Sequence, residues 1–312
     1  MSYHIPPPVR RRVEGYRWLR SDGKPNWNQH ITRSMGEVLL IASKPPISVK
    51  KDSTVLEAVE KIASNNVRGL PVLKADETLH GVLTSTDLVN YMGGGVLFEI
   101  IEKKYNYNIY DALEKTAVES LVKKEPVWVG SDSRIDEVLR LMVEHGTGFL
   151  PVVDKSGTVA GVVTEHDLVK HLAGKETGRT VAEVMSRTVI GIDVNDTLWD
   201  AMKLMVKHGF RRLLVFREDK LEGSITAKSI VTFFGNHKAF EYVKTGDIRD
   251  VLNIEVAELY TPYYTVAKPN EDIGIVADRM MKTGLSGLPV VEDENVVGVV
   301  TERDVLFGLL SR

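Results

Sequence analysis

Gly81-Val82-Leu83-Thr84 recurs as Gly161-Val162-Val163-Thr164, Gly223-Ser224-Ile225-Thr226 and Gly298-Val299-Val300-Thr301. Upstream of each stretch, apolar residues fall at i, i+3, i+4 and i+7: Val55, Ala58, Val59, Ile62; Ile135, Val138, Leu139, Met142; Leu198, Ala201, Met202, Met205; Ile273, Val276, Ala277, Met280. That spacing predicts a helix burying one face. From the first of these residues to the glycine the distance is 26, 26, 25 and 25 positions. The chain is therefore a fourfold internal repeat. A unit of roughly 50 residues buries too little surface to stand alone, so the repeats are expected to pair.

Working outward, Ser53, Ser133, Thr197 and Asp272 mark the helix starts, their side chains being suited to cap free N–H groups. Compact apolar runs follow: Leu70-Pro71-Val72-Leu73, Leu150-Pro151-Val152-Val153, Leu213-Leu214-Val215-Phe216 and Leu288-Pro289-Val290-Val291. Polar turns after each run predict hairpins, and a second helix begins past each Gly-x-x-Thr. A longer period overlies this one: a shift of 142 superposes Gly81 on Gly223, Thr84 on Thr226 and Gly93 on Gly235. The predicted segments are 1–35, a basic aromatic arm; 36–92, repeat one; 93–125, linker helices; 126–174 and 175–235, repeats two and three; 236–260, linker helices; and 261–312, repeat four.

A net charge of −3 makes no global case for a nucleic-acid or membrane partner. No apolar run approaches the roughly 20 residues that span a bilayer, and the first residues lack the apolar core of a signal peptide; the chain reads as cytoplasmic. The absence of cysteine excludes disulfides, thiolate metal sites and cysteine nucleophiles. No catalytic Ser/His/Asp set or Walker-type loop is visible, Gly93-Gly94-Gly95 reading as a helix break, and the eight histidines show no metal-ligand spacing. His145, His166, His171 and His208 read as helix-surface residues.

Helix, Leu-Pro-Val strand, polar turn, Gly-x-x-Thr-x-x-Asp and closing helix, in tandem over about residues 36–312, resemble the cystathionine-β-synthase (CBS) domain. The motif is full in Thr84-Ser85-Thr86-Asp87, Thr164-Glu165-His166-Asp167 and Thr301-Glu302-Arg303-Asp304. The resemblance implies a mixed α/β (α+β) fold of four tandem CBS repeats forming two sheet-packed pairs in a disc-like arrangement, plus the basic N-terminal arm, an organisation similar to the γ subunit of AMP-activated protein kinase. It also implies clefts for adenosyl compounds: AMP, ADP or ATP, with S-adenosylmethionine as a further candidate, and no required cofactor or metal.

A Thr-x-x-Asp at a helix start has an ordinary explanation as a capping box. The resemblance adds a second: Asp87, Asp167 and Asp304, with Thr84, Thr164 and Thr301, would receive the ribose hydroxyls. Repeat three departs, Thr226-Ala227-Lys228-Ser229 placing Ser229 where the acid belongs. Its extra cations, Arg211, Arg212 and Lys228, read either as solvated surface charge or, by resemblance, as phosphate ligands of a cleft shared with Asp304 if repeats three and four pair; Arg supplies a planar fork for phosphate oxygens. Arg68-Gly69 and Thr147-Gly148 are the corresponding pre-strand positions of the first pair. The family places adenine beside Ile47, Val127 and Thr265, with Gly69, Gly148 and Gly287 leaving room for it.

Residues 1–33 hold seven Arg or Lys against two acids, with Arg10-Arg11-Arg12, Tyr16, Trp18 and Trp27 interleaved. Such a segment either wraps the repeats or a neighbouring subunit, or stacks on bases and neutralises phosphates. The expected function is a non-catalytic adenine-nucleotide sensor acting on a protein partner, with no membrane and with a homodimer as one assembly. The alternative is a DNA- or RNA-binding regulator whose arm touches nucleic acid while the repeats scaffold or modulate it.

Overall fold

The computed structural model describes residues 37–122 and 125–310. Repeat one contains α1 (Val38–Ile41), β1 (Val49–Lys50), α2 (Val55–Ser64), β2 (Gly69–Leu73), β3 (Leu79–Thr84) and α3 (Ser85–Val89). Repeat two contains β4 (Val129–Gly130), α4 (Ile135–Glu144), β5 (Phe149–Val153), β6 (Val159–Thr164) and α5 (Glu165–Leu172). Repeat three contains β7 (Gly191–Asp193), α6 (Leu198–His208), β8 (Arg212–Arg217), β9 (Lys220–Thr226) and α7 (Ala227–Gly235). Then come β10 (Thr261–Pro262) and, in repeat four, α8 (Ile273–Thr283), β11 (Gly287–Glu292), β12 (Asn295–Thr301) and α9 (Glu302–Leu310).

The four polar turns do close antiparallel hairpins. Their registers agree: Thr84, Thr164, Thr226 and Thr301 oppose Gly69, Phe149, Arg212 and Gly287, and each ladder slips at the same depth, between Val72/Leu73, Val152/Val153, Val215/Phe216 and Val290/Val291. In the first three repeats a short strand runs parallel to the hairpin, Val49 beside Val72, Val129 beside Val152 and Ile192 beside Val215. In repeat four the single parallel bridge Ala267–Val290 takes its place.

The predicted apolar helix faces are buried in all four repeats. Thr197 and Asp272 cap α6 and α8 as their positions suggest. Elsewhere the cap falls one residue later than expected. Thr54 rather than Ser53 caps α2, closing a capping box with Glu57, and Arg134 rather than Ser133 precedes α4 without a side-chain bond. The predicted break at Gly93 is a π-helical turn, Asn90–Gly94, in which Gly93 has φ 155°, a conformation that excludes most side chains.

Two compact units emerge. One contains Ile47–Pro126 and Gly191–Pro262, hence repeats one and three; the other contains residues 37–46, Val127–Ile190 and Tyr263–Arg312, hence repeats two and four. Helix packing within each unit thus joins alternate repeats, a contact that periodicity does not reveal. In the first unit α2 crosses α7 so closely that a Cβ on Gly235 would collide with the Val59 carbonyl, and the Trp199 indole donates to Gly93 O at 2.8 Å. In the second, α5 and α9 contribute to one apolar core with α4 and α8, and fully buried Val38 joins that core from the N-terminal end of repeat one. Among the described residues no helix is long and apolar enough to cross a membrane.

Candidate functional site

Each Gly-x-x-Thr ends a strand, and the following helix begins at the next residue, so the threonine becomes an N-cap and the residue three on lies in the first turn. Asp87 Oδ2 accepts from Thr84 N at 2.8 Å and Thr84 Oγ1 at 2.5 Å. Asp167 repeats those distances with Thr164, and Asp304 Oδ2 accepts from Thr301 N at 2.9 Å and Oγ1 at 2.7 Å. The capping box is therefore present in all three, and in each it uses one carboxylate oxygen, Oδ2. Capping and a second role are compatible, because a carboxylate has two oxygens and about four acceptor positions.

Repeat three keeps the cap without the charge. Thr226 N donates to Ser229 Oγ at 3.0 Å, while Ser229 Oγ donates to the Thr226 carbonyl at 2.8 Å. No carboxylate is offered there. Its cations have local employment: Arg212 Nη1 donates to Ser224 Oγ at 2.9 Å, and Lys228 Nζ donates to Asn66 O at 2.8 Å and Asn66 Oδ1 at 2.5 Å, beyond the C-terminus of α2. A cation suits that helix end, where carbonyls lack partners. Arg68 and Arg211 occupy equivalent places, their carbonyls accepting from Ser85 N and Ala227 N at 3.0 Å. All four cations lie in the first unit, whereas Asp167 and Asp304 lie in the second.

Ile47, Val127 and Thr265 each precede by two residues the paired positions Val49, Val129 and Ala267, so the three are structurally equivalent; all are half-buried. Gly69 and Gly287 are likewise equivalent, opposite Thr84 and Thr301. Gly148 is not their counterpart, since Phe149 takes that place and Gly148 aligns with Arg68. Its small size has a local cause: a Cβ there would collide with the Glu165 carboxylate.

That carboxylate belongs to an arrangement the sequence reading missed. Glu165 Oε1 accepts from Arg303 Nε at 2.5 Å, and Glu302 Oε1 lies 2.7 Å from His166 Nδ1. Each acid of one repeat pairs with the basic residue of the other, and the two glutamates are 1% and 3% exposed. His166 is thus tied across the contact of repeats two and four as well as reaching the surface. The signal was present: both motifs carry Glu and then a base between Thr and Asp. The basic segment 1–33 lies outside the described residues.

A family model for the CBS domain matches residues 36–94, 118–174, 181–236 and 256–311. The chain belongs to the CBS-domain family. Among relatives of this CBS protein, an uncharacterized 33.4 kDa protein in a ribosomal RNA operon of Thermofilum pendens is 32% identical over 266 residues, covering 85% of this chain and 88% of its own. Protein MJ1225 from Methanocaldococcus jannaschii, described as a proposed archaeal homolog of γ-AMPK, has a crystal structure that superposes with a TM-score of 0.80 at 28% identity, covering 86% of this chain and 98% of its own. An uncharacterized conserved protein from Pyrococcus horikoshii shares the fold at 20% identity, with a TM-score of 0.56 over 88% of this chain and 99% of its own.

Proposed function

We propose that this CBS protein is a non-catalytic regulatory protein that binds adenine nucleotides (AMP, ADP or ATP) and conveys their occupancy to a partner. The observation that carries the reading is the thrice-repeated carboxylate at a helix start, anchored through one oxygen by its own threonine. A carboxylate so fixed is preorganised to accept sugar hydroxyls, and a rigid acceptor loses less entropy on binding. Asp87, Asp167 and Asp304 are the ribose acceptors in this reading, and Thr84, Thr164 and Thr301 their anchors. Arg68, Arg211, Arg212 and Lys228 are the phosphate cations. Ile47, Val127 and Thr265, with Gly69, Gly148 and Gly287, flank the base. The likeness to MJ1225, with its stated relation to γ-AMPK, agrees with the adenine-nucleotide reading that the sequence resemblance implies. Occupancy changes a partner only insofar as the ligand prefers one conformation.

Asp304→Ala tests the reading. Hydrogen bonds to a charged acceptor contribute about 1.5–3 kcal/mol, so adenosine and AMP should both lose at least about tenfold in affinity at that site by calorimetry. Unchanged affinities with a lowered melting temperature would leave the motif as a helix cap alone.

A further inference from the structure

At Asp167 the second carboxylate oxygen, Oδ1, also has a partner, the hydroxyl of Ser43. Residues 42–44 lie on β6, where Ser43 N donates to Val162 O at 2.8 Å and Val162 N donates to Ser43 O at 3.1 Å. This close approach is possible because Gly161 presents no side chain to Ser43 and Lys44. Pinned there, the Ser43 hydroxyl donates to Asp167 Oδ1 at 3.0 Å. With two donors already on Oδ2, three of the roughly four acceptor positions of this carboxylate are filled.

A ribose presents two vicinal hydroxyls and needs two acceptor positions. We infer that Ser43 determines sugar specificity at repeat two: while its hydroxyl stays on Asp167, the carboxylate accepts only one ribose hydroxyl, and the other is left to the serine oxygen. A neutral acceptor forms the weaker bond, about half as strong as a charged one. Losing the 2′-hydroxyl therefore costs little at this site, and adenosine and 2′-deoxyadenosine are held nearly alike. The inference rests on the reading of Thr-x-x-Asp as a ribose acceptor and adds which sugars that acceptor discriminates.

The test uses the full chain carrying Asp87→Asn and Asp304→Asn, substitutions that keep an acceptor oxygen for each cap, with folding verified by thermal melting. Calorimetry with adenosine and 2′-deoxyadenosine should give a ratio of affinities below about fivefold, as expected for one neutral hydrogen bond. Ser43→Ala frees the second position on Asp167 Oδ1 and should raise the ratio to about tenfold or more, while Ser43→Thr, which keeps the hydroxyl, should hold it low. A merely structural serine would shift both affinities together and leave the ratio alone. A ratio of tenfold with Ser43 in place, a ratio that Ser43→Ala leaves unchanged or lowers, or no adenosine binding in this background overturns the inference. Adding Asp167→Asn separates the two claims: adenosine binding that persists undiminished overturns the ribose-acceptor reading itself, whatever Ser43 does.

Discussion

At the scale of single residues, Arg212 and Lys228 bear the same charge and do different work. Lys228 spans from repeat three to the carbonyl and side-chain oxygens of Asn66 in repeat one, whereas Arg212 reaches the hydroxyl of Ser224 on the neighbouring strand. Lys228→Ala should therefore lower thermal stability by about 1 kcal/mol through the lost helix-end bonds, and also weaken AMP, ADP and ATP while sparing adenosine. Arg212→Ala should weaken the three nucleotides while sparing adenosine. Isotherms for four ligands beside melting curves of both variants check this; loss of adenosine affinity in Arg212→Ala would place that side chain away from phosphate. Much of this scale was legible in the sequence, since the repeat itself aligns Ile47, Val127 and Thr265, which the strand register then makes equivalent. Gly148, expected to leave room for the ligand as Gly69 does, stands one position earlier in the register, and its small size answers to the buried Glu165 carboxylate, which periodicity does not bring beside it. Ser43 was invisible, because nothing local connects it to Asp167.

At the scale of elements, helix ends and helix contacts respond to different changes. Arg303 and Glu165 bridge α9 and α5, the arginine 13% exposed and the glutamate 1%. Removing one partner leaves the other charge buried, which costs roughly 3–5 kcal/mol, while replacing both by apolar groups is often neutral. Arg303→Met should accordingly destabilise strongly, and adding Glu165→Leu should recover part of the loss; a double-mutant cycle from denaturant melts gives the coupling, and purely additive losses would mean the pair contributes nothing as a pair. Asp272 behaves as a cap of another kind, accepting from Gly274 N and Gly178 N at 2.8 Å and from Thr177 N at 3.0 Å. Burial pushes its carboxyl up, but the donors of Gly274, Thr177 and Gly178 outweigh it and hold the group below the usual carboxylate range. A depressed folded value means the stabilisation is present above the unfolded value and lost as pH falls through the folded one, so it fades below about pH 4. Asp272→Ala should cost about 1 kcal/mol at neutral pH, with a difference from the parent that shrinks in acid; a gap that widens on acidification would contradict the assignment. The pattern of apolar residues revealed which helix faces are buried, and the hairpins and second helices with them. It could not reveal against what, because an amphipathic face specifies burial and not a partner, and so the packing of alternate repeats escaped it.

At the scale of the whole molecule, the chain enters each unit more than once: Ile47–Pro126 and Gly191–Pro262 build one, Val127–Ile190 and Tyr263–Arg312 the other. Cutting between repeats two and three therefore leaves neither unit complete in either half. Residues 36–174 produced alone should expose the apolar surfaces of α2, α3 and α5 and self-associate, whereas mixing them with 175–312 should restore a one-to-one complex; size-exclusion chromatography with light scattering distinguishes the two. A monomeric, fully folded 36–174 would show that consecutive repeats suffice. Ligand linkage acts at this scale too, for a nucleotide at 100 times its dissociation constant should add about 2.7 kcal/mol to the stability of whichever unit holds it.

Val38 shares its core with Phe307, and that pairing sets a schedule for the nascent polypeptide. At a synthesis rate of about 5–20 residues per second, the far side of this core follows Val38 out of the ribosome after roughly 15–50 s. The unit ending at Pro262 can close earlier, while the other must keep α1, α4 and α5 soluble until its last helix arrives. Loop closure over such a separation is slow and leaves greasy surface on offer in the meantime. The molecule's dependence on chaperones, and the sensitivity of its yield to translation speed, should therefore concentrate in the unit of repeats two and four.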